Sequence, residues 1–213
     1  MLVTAEYNRE RAVEYAHTWA KARNPLFYDF TGIGGDCTNF ISQCVFAGCC
    51  AMNYTPTLGW YYFSPTDRSP SWTGVPFFYN FITGNTGAGP FGTESKSGKL
   101  MLGDFVQLGK RDGTFYHTLL ITGFDRNSYL VSAHTNDAKD RPLSSYSYQR
   151  IRFIHIEGAR YIIDDPSCFE PLIEGTALPS RPDGGKGGEV PDSKTEPVLP
   201  EQGEDIEDEI TTE

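Results

Sequence analysis

Cys37 combines a reactive side chain with a position that favours nucleophilic chemistry. It follows the glycine-rich segment 31–36 and begins a helix that the sequence predicts over 37–47. In the first turn of a helix, unpaired backbone N–H groups and the helix dipole stabilise a negative sulfur and can also hold an oxyanion. The spacing therefore predicts a thiolate nucleophile at Cys37, although it also fits a cysteine that merely follows a helix N-cap at Asp36.

The other four cysteines carry no predicted chemistry. Cys44 lies on the apolar stripe of the same helix, Cys49 and Cys50 follow its end, and Cys168 stands far along the chain. No two cysteines form a C-x-x-C pair, so no structural zinc site is expected, and no metal or cofactor is predicted. The odd number of cysteines leaves at least one thiol outside any disulfide and fits a reducing compartment.

A cysteine nucleophile needs a base, and the chain has four histidines that could supply one. His17 lies within the first predicted helix, opposite its apolar face, and His155 alternates with apolar residues in a late strand. His117 and His134 lie in predicted strands among aliphatic residues, where a polar side chain needs a partner. Each of the four could also be a core or edge histidine with satisfied hydrogen bonds.

Taken together, His117 and His134 fit the pattern of a catalytic triad with the cysteine. His117 would serve as the general base, and a second polar group would orient its imidazole ring. The orienting candidates are His134, Asn136 just beyond it, and Asp104, which opens the strand before His117.

Helices precede strands in the pattern of apolar residues. Apolar spacing predicts helices over 5–23, 37–47 and 74–83. Asp36 would cap the start of the second helix, and Gly48 stands just beyond its end. Alternation between turns predicts strands over 104–108, 116–124, 129–134 and 151–157, with a short one over 160–163. Helices first and antiparallel strands second are typical of α+β folds.

Amide and aromatic side chains offer candidates for a binding site. Asn39 and Gln43 are four residues apart, so they share one helix face and could line the site, or they could form an exposed or interhelical amide pair. Trp60 belongs to an aromatic stretch, 52–71, which the sequence predicts to be a long ordered loop. Its indole could form the wall of a cleft, or it could pack over the core as loop aromatics commonly do.

The negative charge of the chain is concentrated at its C-terminal end. The 213 residues carry a formal net charge of −10, and 176–213 contribute −8 of it through 11 acidic and 3 basic residues. That segment has repeated Pro and Gly and no aromatic residue. It is therefore predicted to be a disordered acidic tail that follows a folded domain over 1–175.

The same composition excludes two classes of partner. A nucleic-acid-binding protein needs a basic face, which the nearly neutral domain lacks. No apolar run approaches the roughly 20 residues of a membrane-spanning helix, and the N-terminus lacks the pattern of a secretory signal. The chain as given is expected in the cytoplasm; a segment upstream of it would instead place the protein outside the cell or at the cell wall.

Five segments, in this order, carry a resemblance to a known family. They are 35–43 (Gly-Asp-Cys-Thr-Asn-Phe-Ile-Ser-Gln), 59–60 (Gly-Trp), 103–106 (Gly-Asp-Phe-Val), 117–123 (His-Thr-Leu-Leu-Ile-Thr-Gly) and 132–137 (Ser-Ala-His-Thr-Asn-Asp). Together with the first helix they resemble the putative amidase domain family of Firmicutes, a relative of the NlpC/P60 and CHAP cysteine hydrolases. The resemblance covers roughly residues 5–157, and the string over 36–43 is its most specific part.

The resemblance implies a papain-like (NlpC/P60-like) α+β fold, with N-terminal helices packed on an antiparallel β-sheet. It implies Cys37 as the nucleophile and His117 as the base, with a third residue within 134–136, where His134 is preferred. The expected function is cysteine-dependent hydrolysis of peptide or N-acyl amide bonds, with peptidoglycan-derived peptides among the substrates. A non-catalytic ligand-binding module on the same fold and a cysteine acyltransferase or transpeptidase remain the alternatives.

Overall fold

Helices and an antiparallel sheet form the body of the protein, as the sequence predicts. The structure is a computed structural model that describes residues 2–126, 128–162 and 166–180. The helices, in chain order, are α1 (Arg9–Trp19), α2 (Cys37–Cys49), α3 (Pro70–Thr73), α4 (Val75–Gly84) and α5 (Phe169–Glu174). The strands are β1 (Val3–Ala5), β2 (Tyr62–Ser64), β3 (Asp67–Arg68), β4 (Gly89–Ser95), β5 (Phe105–Gly109), β6 (Phe115–Asp125), β7 (Ser128–Ala133), β8 (Ala138–Pro142) and β9 (Arg150–Tyr161).

One antiparallel sheet contains all of these strands except β2 and β3, which pair with each other. Its order is β1-β9-β5-β6-β7-β8, and β4 pairs with β9 outside this path. The long strand β9 pairs with β5 along 150–154, with β4 along 153–160 and with β1 along 159–161. The strands predicted over 151–157 and 160–163 are therefore one continuous strand.

The boundaries of two other elements differ from the sequence-based expectation for local reasons. Val3–Ala5 pair with β9 instead of starting α1, and Asn8 caps the shorter helix by accepting a hydrogen bond from the Arg11 N–H at 3.0 Å. The sequence does not reveal β4, because glycine interrupts its alternation. A Cβ atom at Gly92 would lie 2.2 Å from the His155 carbonyl oxygen, so the close approach of the two backbones requires glycine there.

The buried carboxylate of Asp104 joins α1 to the sheet. It contacts β9 at Ile156, between the part of β9 that pairs with β5 and the part that pairs with β1. Asp104 accepts the Ile156 N–H at 3.0 Å, and Arg9 donates to the Ile156 carbonyl. Arg9 and Asp104 form an ion pair at 2.6 Å, and His155 Nδ1 lies 2.7 Å from the second Asp104 oxygen. These side chains satisfy the Ile156 backbone at a point where neither β5 nor β1 pairs with β9, and they hold α1 against the sheet.

The central strands bury side chains on both of their faces. Helix α2 is buried along its whole length and packs on a sheet face that includes Leu120 and Ile154. The opposite face carries a second apolar cluster, which includes Val106 and Leu119. Polar side chains on the two faces of these strands are therefore separated by the sheet itself.

A disulfide joins Cys50, at the end of α2, to Cys168, just before α5. The two residues are 118 positions apart, with Cα atoms 5.8 Å from each other. The expectation of reduced cysteines is therefore wrong for this pair, and the bond is typical of proteins in oxidising compartments. Cys37, Cys44 and Cys49 keep their thiols.

The described chain continues a few residues beyond α5. Gly175 closes that helix in the left-handed conformation, with φ 71°. The predicted acidic tail begins at 176, but 181–213 lie outside the described residues, so its disorder and the domain boundary stay predictions. Within the described ranges, no helix is long and apolar enough to cross a membrane.

Removing the disulfide should destabilise the fold. The bond closes a loop that spans 118 residues and so lowers the conformational entropy of the unfolded chain. Replacing both cysteines, with Cys50→Ser and Cys168→Ser, should lower the free energy of unfolding by about 2–4 kcal/mol, measured by urea denaturation. Dithiothreitol should destabilise the wild type and leave the double variant unchanged; equal stability of the two proteins without reductant would contradict the bond.

Candidate active site

Cys37 is the first residue of α2, as the sequence predicts. Gly34 and Gly35 lead into the helix with φ of 81° and 94°, a conformation that favours glycine. Asp36 is the N-cap residue, as the sequence predicts, although its side chain forms no capping hydrogen bond. The first intrahelical bond joins the Phe40 N–H to the Asp36 carbonyl at 3.0 Å. The Asp36 carboxylate therefore leaves the N–H groups of the first turn uncovered.

The Asp36 carboxylate binds His134 instead of the helix. Its Oδ2 lies 2.6 Å from His134 Nδ1, and each of the two side chains is only 1% exposed. Its Oδ1 accepts hydrogen bonds from the Phe30 N–H at 3.1 Å and from Asn39 Nδ2 at 2.7 Å. Carboxylate oxygens can accept the hydrogen bonds in all three of these contacts.

His134 is held at both ring nitrogens. Its Nε2 lies 2.9 Å from the carbonyl oxygen of Trp19, the last residue of α1. A carboxylate lies at Nδ1 and a carbonyl at Nε2, so both ring nitrogens face hydrogen-bond acceptors. The ring stacks on Phe40, with centroids 3.8 Å apart, and Phe40 lies one turn after Cys37 on the same helix face. The structure thus brings His134 to the first turn of the helix that Cys37 begins.

Arg23 joins the two loops that flank this site. Its guanidinium contacts both carboxylate oxygens of Asp137 at 2.9 Å, while its Nε lies 3.2 Å from Asp29 and 3.6 Å from Asp36. The Asp36 N–H also donates to Thr135 Oγ1 at 2.8 Å. These contacts fix the loop after β7, which carries His134, against the start of α2. Sequence reasoning did not single out Arg23.

A row of polar side chains extends from Cys37 across the helix-facing side of the sheet. Cys37 Sγ lies 3.8 Å from Thr38 Oγ1, and the hydroxyls of Thr38 and Thr118 share a hydrogen bond of 2.9 Å. Gln107 Nε2 donates to Thr118 Oγ1 at 3.1 Å, and Gln107 Oε1 accepts from Arg152 Nε at 2.8 Å. The strand register pairs Gln107 with both Thr118 and Arg152.

The sequence alone does not reveal this hydrogen-bonded row. Its signal was a polar residue beside aliphatic ones in three separate strands, Gln107 in β5, Thr118 in β6 and Arg152 in β9. Only the register of the sheet, which one sequence does not reveal, shows that these three residues are neighbours.

The structure does not bring His117 to Cys37. Thr118 faces α2, so its neighbours in β6, His117 and Leu119, face the opposite side of the sheet. His117 pairs with Leu108, and both Leu108 and Leu119 belong to the apolar cluster on that side. The sheet therefore separates the predicted base from the predicted nucleophile.

The surroundings of His117 are aromatic and desolvated. Its ring centroid lies 6.2 Å from that of Tyr146. Burial lowers the pKa of His117 to about 4, and the positive charge of Arg141 acts in the same direction. The imidazole is therefore neutral at pH 7, on the side of the sheet away from the site.

The amides of α2 serve the packing of the helix. Asn39 donates to the Tyr28 carbonyl at 3.0 Å and accepts from Trp72 Nε1 at 3.0 Å. Gln43 accepts from the Tyr15 hydroxyl at 2.8 Å. Both amides are buried, so the structure supports the interhelical alternative for Gln43 and a scaffold role for Asn39.

The remaining predicted site residues lie apart from Cys37 or are fully engaged elsewhere. Trp60 is completely buried and donates to Ser42 Oγ at 3.0 Å, so the structure supports packing over the core and not the cleft-wall alternative. Asn136 is exposed in the loop after β7, with φ 62°. Asp104 binds Arg9 and thus does not orient His117. In the part of the chain that the structure describes, no group of three or more His, Cys, Asp or Glu side chains could hold a metal ion.

Cys37 should react with alkylating reagents well before the other thiols. Burial raises the pKa of Cys44 far above its ordinary value and that of Cys49 to about 12, so neither forms much of the reactive thiolate near neutral pH. Iodoacetamide at pH 7.5, followed by mass spectrometry of peptides, should label Cys37 at least about tenfold faster. In urea all three thiols should react alike; labelling of Cys44 or Cys49 at the rate of Cys37 in the folded protein would contradict the assignment.

Acidification should cost stability through His117. Its pKa is about 4 in the folded protein against 6.5 for the ordinary side chain, so only the unfolded chain takes up a proton between these values. The contribution of His117 to the free energy of unfolding is therefore fully present above pH 6.5. It is lost as the pH falls towards 4, by about 3 kcal/mol at most. Urea denaturation at several pH values should show this loss in the wild type and a shallower slope in His117→Gln. A His117 ring that titrates near pH 6.5 by NMR would contradict its burial.

Comparison with known proteins agrees with the resemblance seen in the sequence. The uncharacterized protein YhbB of Bacillus subtilis (strain 168) is 35% identical over 161 residues, which cover 71% of this chain and 50% of that protein. The chain thus spans about half the length of the curated relative that it matches. No solved structure matches the chain, so the papain-like fold and the relationship to NlpC/P60 and CHAP hydrolases stay predictions.

The match to a family model is more extensive. The model described as "Putative amidase domain" matches residues 6–156, which include Cys37, His134 and every strand of the sheet except β1 and the end of β9. On this match, the chain belongs to the putative amidase domain family.

Proposed function

We propose that the protein hydrolyses amide bonds with Cys37 as the nucleophile and with His134, oriented by Asp36, as the acid and base. The observation that carries the proposal is the buried contact of 2.6 Å between His134 and Asp36, the residue immediately before Cys37. Membership of an amidase family supports the reaction class. A cysteine hydrolase needs an imidazole in a fixed orientation beside its thiol, and this pair supplies one.

Two features of the site favour attack by a thiolate at Cys37. The N–H groups of the first turn of α2 lie at the positive end of the helix dipole, and the Asp36 side chain does not cover them. The second is the His134 ring, which stacks on Phe40, one helical turn after Cys37 on the same helix face, and which the proposed mechanism takes as the protonated partner of the thiolate. The same N–H groups could receive the oxyanion that forms when sulfur attacks a carbonyl carbon.

The reaction then follows a thioester route. The thiolate forms a C–S bond with the amide carbonyl carbon, and the C–N bond breaks as His134 Nε2 gives its proton to the departing amine. The neutral imidazole next takes a proton from water while the oxygen of that water attacks the thioester. The C–S bond breaks, the acid leaves, and the thiolate and imidazolium are restored.

Catalysis requires two local changes. His134 Nε2 donates to the Trp19 carbonyl, so the ring must exchange this acceptor for the leaving nitrogen while Asp36 keeps its hold on Nδ1. Cys37 is only 6% exposed, so the approach of a substrate must also widen access to the sulfur.

These same two observations favour a second candidate, a non-catalytic ligand-binding module. In such a protein, the Asp36–His134 pair would be a buried structural ion pair that ties α1 and α2 to the loop after β7. Its Cys37 would keep the low exposure seen in the structure and would not acquire an acyl group.

The two candidates differ in what 4-nitrophenyl acetate does to the protein. The hydrolase should release 4-nitrophenol in a burst equal to the enzyme concentration and carry an acetyl group on Cys37, detected by mass spectrometry after acid quench. Cys37→Ala should abolish both signals. A wild type that releases no burst and acquires no adduct on Cys37 would support the binding module instead.

The two central histidines provide a matched pair of variants. His134→Gln should slow turnover by about 10²–10⁴-fold, because it removes the acid and base. His117→Gln should stay within about twofold of the wild type, because the sheet separates this side chain from the site. The reverse order of effects would refute the role of His134, and circular dichroism of both variants checks that they are folded.

Turnover assays can identify the substrate and the acceptor of the acyl group. Peptidoglycan-derived peptides are the first amides to screen, and the Cys50–Cys168 disulfide supports a search among substrates outside the reducing cytoplasm. Hydrolysis and acyl transfer share the thioester. Turnover that rises with added glycinamide, together with a new amide product, would identify an acyltransferase.

A further inference from the structure

We propose that Arg152 binds a carboxylate group of the substrate, so that the preferred substrates are amides that carry a negative charge some distance from the bond to be cleaved. This inference rests on the proposed function of Cys37. Arg152 lies at one end of the polar row and Cys37 at the other, so its role would define the chemical class of the substrate.

Arg152 faces the same side of the sheet as the nucleophile. In β9 it alternates with Ile154, which packs under α2, and it stands opposite Gln107 in the register. Gln107 in turn contacts Thr118, which contacts Thr38, the neighbour of Cys37. The row therefore leads from the sulfur to the guanidinium without crossing the sheet.

The guanidinium is held in a fixed orientation by its surroundings. Its carbon lies 3.6 Å from the ring centroid of Tyr79 and 4.0 Å from that of Phe115. Its Nε and Nη2 both donate to the single oxygen Oε1 of Gln107. Gln107 is itself fixed, because its Nε2 donates to the Val75 carbonyl at 2.9 Å. Such a rigid planar group is suited to two parallel hydrogen bonds with a carboxylate.

The charge of this guanidinium lacks a carboxylate in direct contact. Partial burial lowers the pKa of Arg152 to about 10, so the side chain is still positive at pH 7. Among the residues that the structure describes, no carboxylate oxygen lies within 4 Å of it. The Glu94 carboxylate does not contact Arg152 directly. It accepts a hydrogen bond of 2.7 Å from the hydroxyl of Tyr79, whose ring stacks on the guanidinium. A partly buried cation is costly without a close counter-ion, and a substrate carboxylate would supply one.

The spacing along the row sets the expected length of the substrate. Thr118 and Arg152 lie on β6 and β9, with β5 between them, so their Cα atoms are separated by two strand spacings, roughly 10 Å. An extended chain advances about 3.3–3.6 Å per residue, so this distance corresponds to about three residues. The carboxylate should therefore stand two or three residues from the amide that Cys37 attacks, as a chain terminus or as an acidic side chain.

The test compares charged and neutral reagents of the same shape on Cys37. The reagents are 3-maleimidopropionic acid and 6-maleimidohexanoic acid, each paired with its carboxamide, and the measurement is the ratio of the two labelling rates. In the wild type, at least one of the two acids should label Cys37 about tenfold faster than the carboxamide of the same chain length. Arg152→Met should remove this preference, and Arg152→Lys should keep only part of it, since lysine lacks the planar fork.

Arg160 provides the matched control. It lies on the same strand, stacks on Phe91 with its carbon 3.6 Å from the ring centroid, and donates to the Asn85 carbonyl. Arg160→Met should keep the wild-type ratio. A ratio that is the same in the wild type and in Arg152→Met, or that falls equally in both methionine variants, would overturn the proposal while leaving Cys37 as a nucleophile.

If Cys37 reacts with none of the maleimides, that result counts against the proposed function, and a second measurement then tests the role of Arg152. Isothermal titration of Cys37→Ala compares N-acetyl-alanyl-alanine with its C-terminal amide. The acid should bind about tenfold more tightly, and Arg152→Met in the same background should equalise the two affinities. Equal affinities before that substitution would overturn the role of Arg152.

Discussion

The geometry of the candidate site depends on the buried carboxylate of Asp36. It accepts the Phe30 N–H from the preceding loop, the Asn39 amide from α2 and the His134 ring from the loop after β7. A buried charge that loses its partners costs several kcal/mol, so these three segments can pack only when they present their donors to the same point. The start of α2 and the position of His134 are thereby fixed by one group, and Cys37 follows it directly in the chain.

The second constraint is a sheet that is covered on both faces. Because β5, β6 and β9 bury side chains on each side, a polar residue there must find partners on the side it faces. On the side of α2 this requirement produces the hydrogen-bonded row of Thr118, Gln107 and Arg152. On the other side it leaves His117 neutral, with a pKa of about 4, among aromatic rings. The alternation of β6 therefore assigns its polar residues to two separate environments.

These two constraints also explain how far the sequence alone could lead. The start of α2 at Cys37 was predictable, because two glycines and an uninterrupted apolar stripe mark it locally. The face that His117 occupies was not, because β6 is apolar on both sides of the alternation, so its pattern does not reveal which face meets the helices. The disulfide of Cys50 with Cys168 and the row that ends at Arg152 depend on contacts between residues far apart in the chain. Spacing within one segment carries no information about such pairs.

The central claim is that His134, and not His117, shares the site of Cys37. The most direct measurement is an NMR spectrum of the histidine rings before and after Cys37 is alkylated with iodoacetamide, with each ring assigned from its His→Gln variant. We predict that the His134 resonances shift on alkylation while those of His117, on the other side of the sheet, stay in place. A shift confined to His117 would contradict the account and restore that residue as the partner of Cys37.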